Sequence, residues 1–204
     1  MAQMGFYFNE KNCIDCKTCE IACSDWNDIR PTEWSEKAND VKWMDVFQQE
    51  EGSHGDLTLT TMVAPCFHCE EPACVEAAPK HGVYKREEDG LVFVELDNLS
   101  EADTEAIADA CPFDRIQVAD DEMPATSGYP DGRPAGMPQK CTGCFDKEDG
   151  EPPACVNACP TGAIEFGEMA TLREEHPDAS QDLLKEIYGA DAVEKTKPAV
   201  IIER

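Results

Sequence analysis

"CFHCEEPACVEAAPKHG" spans Cys66 to Gly82. Three cysteines stand in it at C-x2-C-x4-C spacing: Cys66, Cys69 and Cys74. Four residues beyond Cys74, where a fourth cysteine followed by proline would complete a ligand run, the chain has Ala78-Pro79. The remaining cysteines fall into three groups. Cys13, Cys16, Cys19 and Cys23 follow C-x2-C-x2-C-x3-C spacing in "CIDCKTCEIAC". Cys111 stands alone in "ACPFDRI". Cys141, Cys144, Cys155 and Cys159 occupy "CTGCFDKEDGEPPACVNACPTGAI".

This spacing suits iron–sulfur chemistry. Three thiolates spaced two residues apart wrap three corners of one cubane, and the fourth, on the helical turn that follows, points toward a second cluster. The trailing proline ends that turn. Zinc is the main rival, because isolated C-x2-C pairs are often zinc knuckles, but zinc needs neither the third cysteine two residues on nor the C-x3-C-P ending. Disulfides are the other rival. Cysteines two residues apart in one loop rarely pair with each other, and "MAQMGFYFNEKNCIDC" carries no secretory signal and no twin-arginine pair.

In a two-cluster unit, the fourth cysteine of each group serves the other group's cluster. Pairing the first group with the second leaves Cys13, Cys16 and Cys19 short of a ligand and Cys159 without a role. Pairing the first with the third leaves Cys141, Cys144 and Cys155 short and strands Cys23. Only first with fourth and second with third uses every cysteine. Cys159 then completes Cys13, Cys16 and Cys19; Cys23 completes Cys141, Cys144 and Cys155; Cys111 completes Cys66, Cys69 and Cys74. The twelve cysteines make three [4Fe-4S] clusters. A fourth cluster would need a sulfur at Ala78 and at the three seats counted back from Cys111, which hold Ile107, Thr104 and Glu101. All four are missing together, as expected for a cluster deleted as a unit. Ser100 and Asp103 form a capping box ahead of a helix in "DNLSEADTEAIADACPF". Ile107 and Ala78 are expected to fill part of the vacated space.

Composition agrees with a metal-stapled fold. Of 204 residues, 41% are hydrophobic and 7% aromatic, a modest supply of core for this length, so metal or disulfides are expected to help hold it. A formal charge of −26 argues against binding nucleic acid or anionic lipid. It reads first as a solvated, soluble surface, with a salt-adapted host or a basic partner as sharper alternatives. No window approaches about 18 apolar residues, so no membrane span is expected. No Ser–His–Asp set, phosphate-binding glycine loop or nucleotide fingerprint is visible, and no catalytic residue is assigned.

An internal repeat sets the architecture. "APKHGVY", "CPFDRIQV" and "CPTGAIEF" share a (C/A)-P-x-x-x-(V/I) frame, each ending in a short apolar strand. "GVYKREEDGLVFVEL" reads as a hairpin around Asp89-Gly90. The fold class is therefore α+β: two nested ferredoxin-like domains built around [4Fe-4S] clusters. Residues 1–55 and 126–204 form the outer domain with two clusters, and residues 56–125 the inserted one with one cluster kept and one lost. Acidic loops flank the insert, one near "QQEEGSHGD" and one irregular, "DDEMPATSGYPDGRPAGMP". The tail "EEHPDASQDLLKEIYGADAVEKTKP" predicts one amphipathic helix with Leu183, Leu184, Ile187 and Tyr188 on its packed face.

The frame "FNEKNCIDCKTCEIAC", "PCFHCEEPACVEAAP", "CPFD" and "QKCTGCFDK…PACVNACPTGAI" resembles the iron–sulfur subunit of molybdopterin oxidoreductases of the dimethyl sulfoxide reductase type, over roughly residues 5–168. That resemblance implies an electron-transfer subunit, with molybdopterin (Mo or W) on a large catalytic partner rather than on this chain. Family members usually hold four clusters. Three are typical of the small subunits of pyrogallol–phloroglucinol transhydroxylases, which "VYKREEDGLVFVE" also resembles; catechol dehydroxylases are related. In four-cluster relatives the cluster missing here is the terminal one, next to a quinone-linked membrane subunit. Its loss implies a cytoplasmic or otherwise soluble complex with no such subunit beside residues 98–112, export on a partner's signal remaining open. A free-standing polyferredoxin is the alternative function, and a structural zinc protein a third.

Other residues divide between chemistry and packing. His68 reads first as solvent-facing, with a hydrogen bond to a cluster as the rival. His54, His81 and His176 have no ligand spacing with each other. Trp26, Trp34 and Trp43 read as packing or interface residues. Lys140, beside Cys141, either offsets cluster charge or is simply solvated.

Overall fold

The computed structural model describes residues 2–29, 41–78, 82–96, 99–119, 122–126, 129–148 and 150–204. Strand β1 (Met4–Asn9) opens the chain, and helix α1 (Thr18–Trp26) follows the first cysteine loop. Next come β2 (Met44–Ser53), β3 (Asp56–Pro65), α2 (Ala73–Ala77), β4 (Val83–Lys85), β5 (Val92–Val94) and α3 (Glu101–Asp109). Short β6 (Gln117–Val118) and β7 (Pro138–Gln139) precede α4 (Ala154–Asn157) and β8 (Ile164–Glu168). The chain closes through α5 (Met169–Glu175), α6 (Asp182–Tyr188), α7 (Ala190–Thr196) and β9 (Val200–Glu203).

Both ends of the chain meet in one sheet of order β8-β1-β9, with β1 antiparallel to β8 and parallel to β9. Alternation along a strand sends neighbours to opposite faces. Phe6 and Phe8 thus enter the main core with Val200 and Ile202, while Tyr7 and Ile201 pack on the other face with Met169 and Leu172 of α5. Gly5 lets this sheet close. A Cβ there would stand 2.2 Å from the Ala199 carbonyl oxygen and 2.3 Å from Met169 Sδ. Gly5→Ala is therefore expected to cost about 3 kcal/mol by overpacking, read as a lower temperature of visible-colour loss in the iron-loaded protein. An unchanged temperature would show that β9 can move aside.

The (C/A)-P frames lead into β4, β6 and β8. β4 pairs antiparallel with β5 around Gly90, whose φ of 72° suits glycine. The predicted capping box is present: Asp103 N–H donates to Ser100 Oγ at 3.3 Å, and Ser100 N–H to the Asp103 carboxylate at 2.9 Å.

Two elements differ from their sequence reading. The acidic loop near "QQEEGSHGD" is a hairpin: β2 and β3 pair from Met44↔Pro65 to Ser53↔Asp56 around a His54-Gly55 turn. Its base is buried at Met44, Val46 and Met62–Ala64, and its tip is in water. The charged run suggested a loop, but charges on a projecting two-stranded ribbon are simply solvated on both faces. The boundary expected between residues 55 and 56 falls at this turn. The tail is likewise two helices, α6 and α7, broken at Gly189 with φ 88°. Leu183 and Leu184 are buried on the predicted face, with Ile187 and Tyr188 packed beside them.

The second acidic segment is irregular, as expected, although it is pinned. Arg133, 1% exposed, lies over Trp43 and Tyr129 and donates to the Asn27 carbonyl at 2.8 Å. Trp43 is buried in packing, Trp26 is partly exposed under Lys147, and Trp34, Pro79 and His81 lie outside the described residues.

Candidate metal centres

Cysteine loops must bend sharply to aim several sulfurs at one point. Here the bends are left-handed backbone positions at Asp15, Lys17, His68, Asp114, Gly143 and Cys144. Five of these are non-glycine residues in a costly conformation, which persists only where the surroundings enforce it. Sequence reading gave no hint of them, because no residue type there demands φ > 0. Short helices then supply the remaining sulfurs. Cys19 and Cys23 are one turn apart on α1, both buried, and α1 packs on α4, which carries Cys155.

The structure brings eight of the cysteines together around two hollows. Cys13, Cys16, Cys19 and Cys159 line one hollow of about 320 Å³, closed by Val46, Val63 and Ile164. Cys66, Cys69, Cys74 and Cys111 line a second of about 360 Å³, with Phe67, Val92, Phe113 and Thr196. Cys23, Cys141, Cys144 and Cys155 are the remaining four, all buried, and the packing of α1 on α4 brings the helices of Cys23 and Cys155 together. The Cys23 and Cys155 thiols are pushed well up, first by burial and then by the charges of other cysteines, Cys141 foremost and Cys19 among them. None of the twelve cysteines is in a disulfide.

Donors are aimed at the sulfurs in every set. Backbone N–H groups reach Cys111 from Arg115 (3.3 Å), Cys141 from Gly143 (3.3 Å) and Cys159 from Ala163 (3.2 Å). The Thr18 hydroxyl donates to Cys16 at 3.3 Å, and Asn27 Nδ2 reaches Cys23 at 3.6 Å. Such bonds stabilise thiolate. They lower the Cys16 thiol and, against burial, the Cys159 thiol, through Thr18 and Thr161 respectively. Burial raises Cys19, Cys74 and Cys141 to about 12. Thiols held protonated in this way must shed protons to bind metal, so metal binding strengthens as pH rises.

One residue weighed from sequence is placed differently from its first reading, and another loses its solvated alternative. His68 is fully buried, not solvent-facing: it sits inside the Cys66–Cys69 bend, and its Nδ1 accepts the Val92 N–H at 3.0 Å. Its Nε2 is buried and has no hydrogen-bond partner among the described residues. Lys140 is buried as well, at 1% exposure. Thr196, on the wall of the second hollow, was missed, since nothing in the tail sequence ties α7 to a cysteine loop. His176 serves the sheet, stacking on Tyr7 at 3.5 Å.

Residues 57–169 match the 4Fe-4S dicluster domain family. The chain belongs to this family. The chain is 30% identical over 203 residues to the B subunit of the anaerobic dimethyl sulfoxide reductase of Escherichia coli (strain K12), covering 98% of itself and 88% of that relative. It is 31% identical over 178 residues to the corresponding B subunit from Haemophilus influenzae, covering 86% and 79%. Against the iron–sulfur subunit of the nitrate-inducible formate dehydrogenase of Escherichia coli it is 32% identical over 192 residues, covering 85% of itself and 58% of that protein. The resemblance read from the cysteine frame is borne out at family level.

Proposed function

We propose that this chain is the electron-transfer subunit of a molybdopterin oxidoreductase-type complex and carries three [4Fe-4S] clusters. Each set of four cysteines holds one: Cys13, Cys16, Cys19 and Cys159; Cys23, Cys141, Cys144 and Cys155; Cys66, Cys69, Cys74 and Cys111. The observation that carries this reading is that eight cysteines line two hollows as foursomes that each cross between sequence groups, while the remaining four are all buried. The residues fit the group, for each foursome presents sulfurs with N–H or hydroxyl donors directed at them. When bound, the clusters supply one-electron relays. The protein's own part is to hold the sulfurs, wall the sites with apolar side chains and keep them close together.

Packing supports the loss of a fourth site. Ile107 is fully buried in a cluster with Cys74, Val83, Val92, Val94 and Ile116, and Ala78 packs against it. Thr104 is buried, its hydroxyl bonded back to the Ser100 carbonyl at 3.2 Å. A capped helix thus stands where a fourth cysteine loop would be, with no sulfur at these seats for a relay. The sheet built from both chain ends supports an outer unit of residues 1–55 and 126–204 around an insert of residues 56–125. Among the described residues no helix is long and apolar enough to cross a membrane. The three-cluster complement favours a soluble complex with a transhydroxylase-like or dehydroxylase-like catalytic partner, in place of a quinone-linked one.

Anaerobic purification from the native host tests this. About twelve irons and about twelve acid-labile sulfides per chain are expected, together with a much larger pterin-containing protein. About sixteen irons would overturn the deletion. A chain that isolates alone, with full iron, would favour the polyferredoxin. Rapid cluster reduction by a quinol would count against the loss of the membrane route.

A further inference from the structure

Lys140 has no carboxylate within ion-pair distance among the described residues, in a chain with 43 acidic residues. It is nonetheless 1% exposed. Burying an ammonium costs several kcal/mol unless a counter-charge is near. Its Nζ donates to two carbonyls, that of Val92 and, at 2.7 Å, that of Cys141. These are neutral acceptors, and they satisfy the hydrogen bonds without offsetting the charge. Val92 belongs to the wall of the Cys66/Cys69/Cys74/Cys111 hollow, and Cys141 to a different foursome. The ammonium is therefore clamped between two sites. The sulfurs that bear most on its charge are those of Cys66, Cys141 and Cys74, drawn from both, and Cys66 also bears on Cys141. His68, beside it, cannot be a second cation while its Nδ1 accepts the Val92 N–H.

We infer that Lys140 is the shared counter-charge of two cluster sites, raising the reduction potential of both and easing passage of an electron between them. The inference rests on the cluster assignment proposed above. Each reduction takes one electron, from a dithionite-class reductant in the test, and the added negative charge is stabilised by a cation already in place. No proton need accompany it. No sulfur of Cys13, Cys16, Cys19 or Cys159 is among those that bear most on Lys140, and that set serves as the internal control.

The test is an EPR-monitored dithionite titration of the intact, anaerobically purified complex, with iron counted in every sample. Lys140→Met keeps the length and removes the charge; Lys140→Gln keeps a donor without charge; Lys140→Arg keeps the charge. With wild-type iron content, the Met and Gln variants are expected to lose about tenfold in the one-electron reduction constant of two clusters, about 59 mV each. The third cluster shifts much less, and the Arg variant stays near wild type. Unshifted midpoints at full iron would overturn the inference, and so would a shift in one cluster alone or an equal shift in all three. Loss of iron in the Met and Gln variants but not in Arg would support it, since charge is then what the sites require. Loss in all three would reduce Lys140 to a steric role. A wild-type complex lacking three clusters would instead sink the cluster assignment, whatever Lys140 does.

Discussion

Removing the iron, by chelation after mild oxidation, is expected to unfold most of the chain. Cys13 and Cys159 stand near opposite ends of the sequence and line one hollow. A cross-link that closes a loop of about 100 residues is worth about 4.7 kcal/mol of chain entropy, comparable to the lower end of a domain's whole stability of about 5–15 kcal/mol. Three such staples are proposed here, and all are released together. What remains is a modest apolar core with a net charge of −26 pushing outward. Far-ultraviolet circular dichroism of a fully iron-free sample is expected to show most secondary structure gone, with no cooperative thermal transition. The sheet β8-β1-β9 is the element with the best prospect of residual order, because its outer face, Tyr7 and Ile201, packs on Met169 and Leu172 of α5 in a cluster that contains no cysteine. A sharp transition in the iron-free chain would show that packing alone holds the fold.

Substitution of Cys111 by alanine is expected to disturb one cluster and spare two. Cys111 shares its hollow with Cys66, Cys69 and Cys74 and with no other cysteine. Its sulfur accepts the Arg115 N–H at 3.3 Å, so its loss also leaves that donor without its acceptor. Arg115 itself stays anchored to the Phe113 and Ala64 carbonyls, at 2.8 and 2.9 Å, which keeps the surrounding loop in place. Iron should fall from about twelve per chain to no fewer than about eight, with the EPR signals of two clusters unchanged. Loss of a signal from either of the other foursomes would show that the nested pairing of cysteines is wrong.

Much of the site was legible in the order of residues. The ligand rule acts on spacing, and spacing is a property of the sequence, so twelve cysteines could be sorted into three sets by requiring that none be left over. The capping box at Ser100 and Asp103 and the hairpin at Asp89-Gly90 were likewise local: their hydrogen bonds run between residues a few positions apart. Family membership followed from the same frame. Acidic residues were misleading where they lay on the β2–β3 ribbon, because charge reports solvation and cannot distinguish a loop from an exposed hairpin.

Tertiary structure alone decided the rest. The left-handed turns at Asp15, Lys17, His68 and Cys144 are imposed by the geometry of the cysteine loops and have no residue signature. Burial of His68 and Lys140 arises because β5 crosses beside both: Val92 offers its N–H to one and its carbonyl to the other. That contact joins residues from three separate segments, and no spacing rule reaches across them. The break at Gly189, which turns the tail into two helices and sets Thr196 against the second hollow, is decided by packing over an apolar face that would have suited one longer helix equally well. Spacing rules carry the proposal of which sulfurs belong together; long-range packing determined which charged and polar groups surround them.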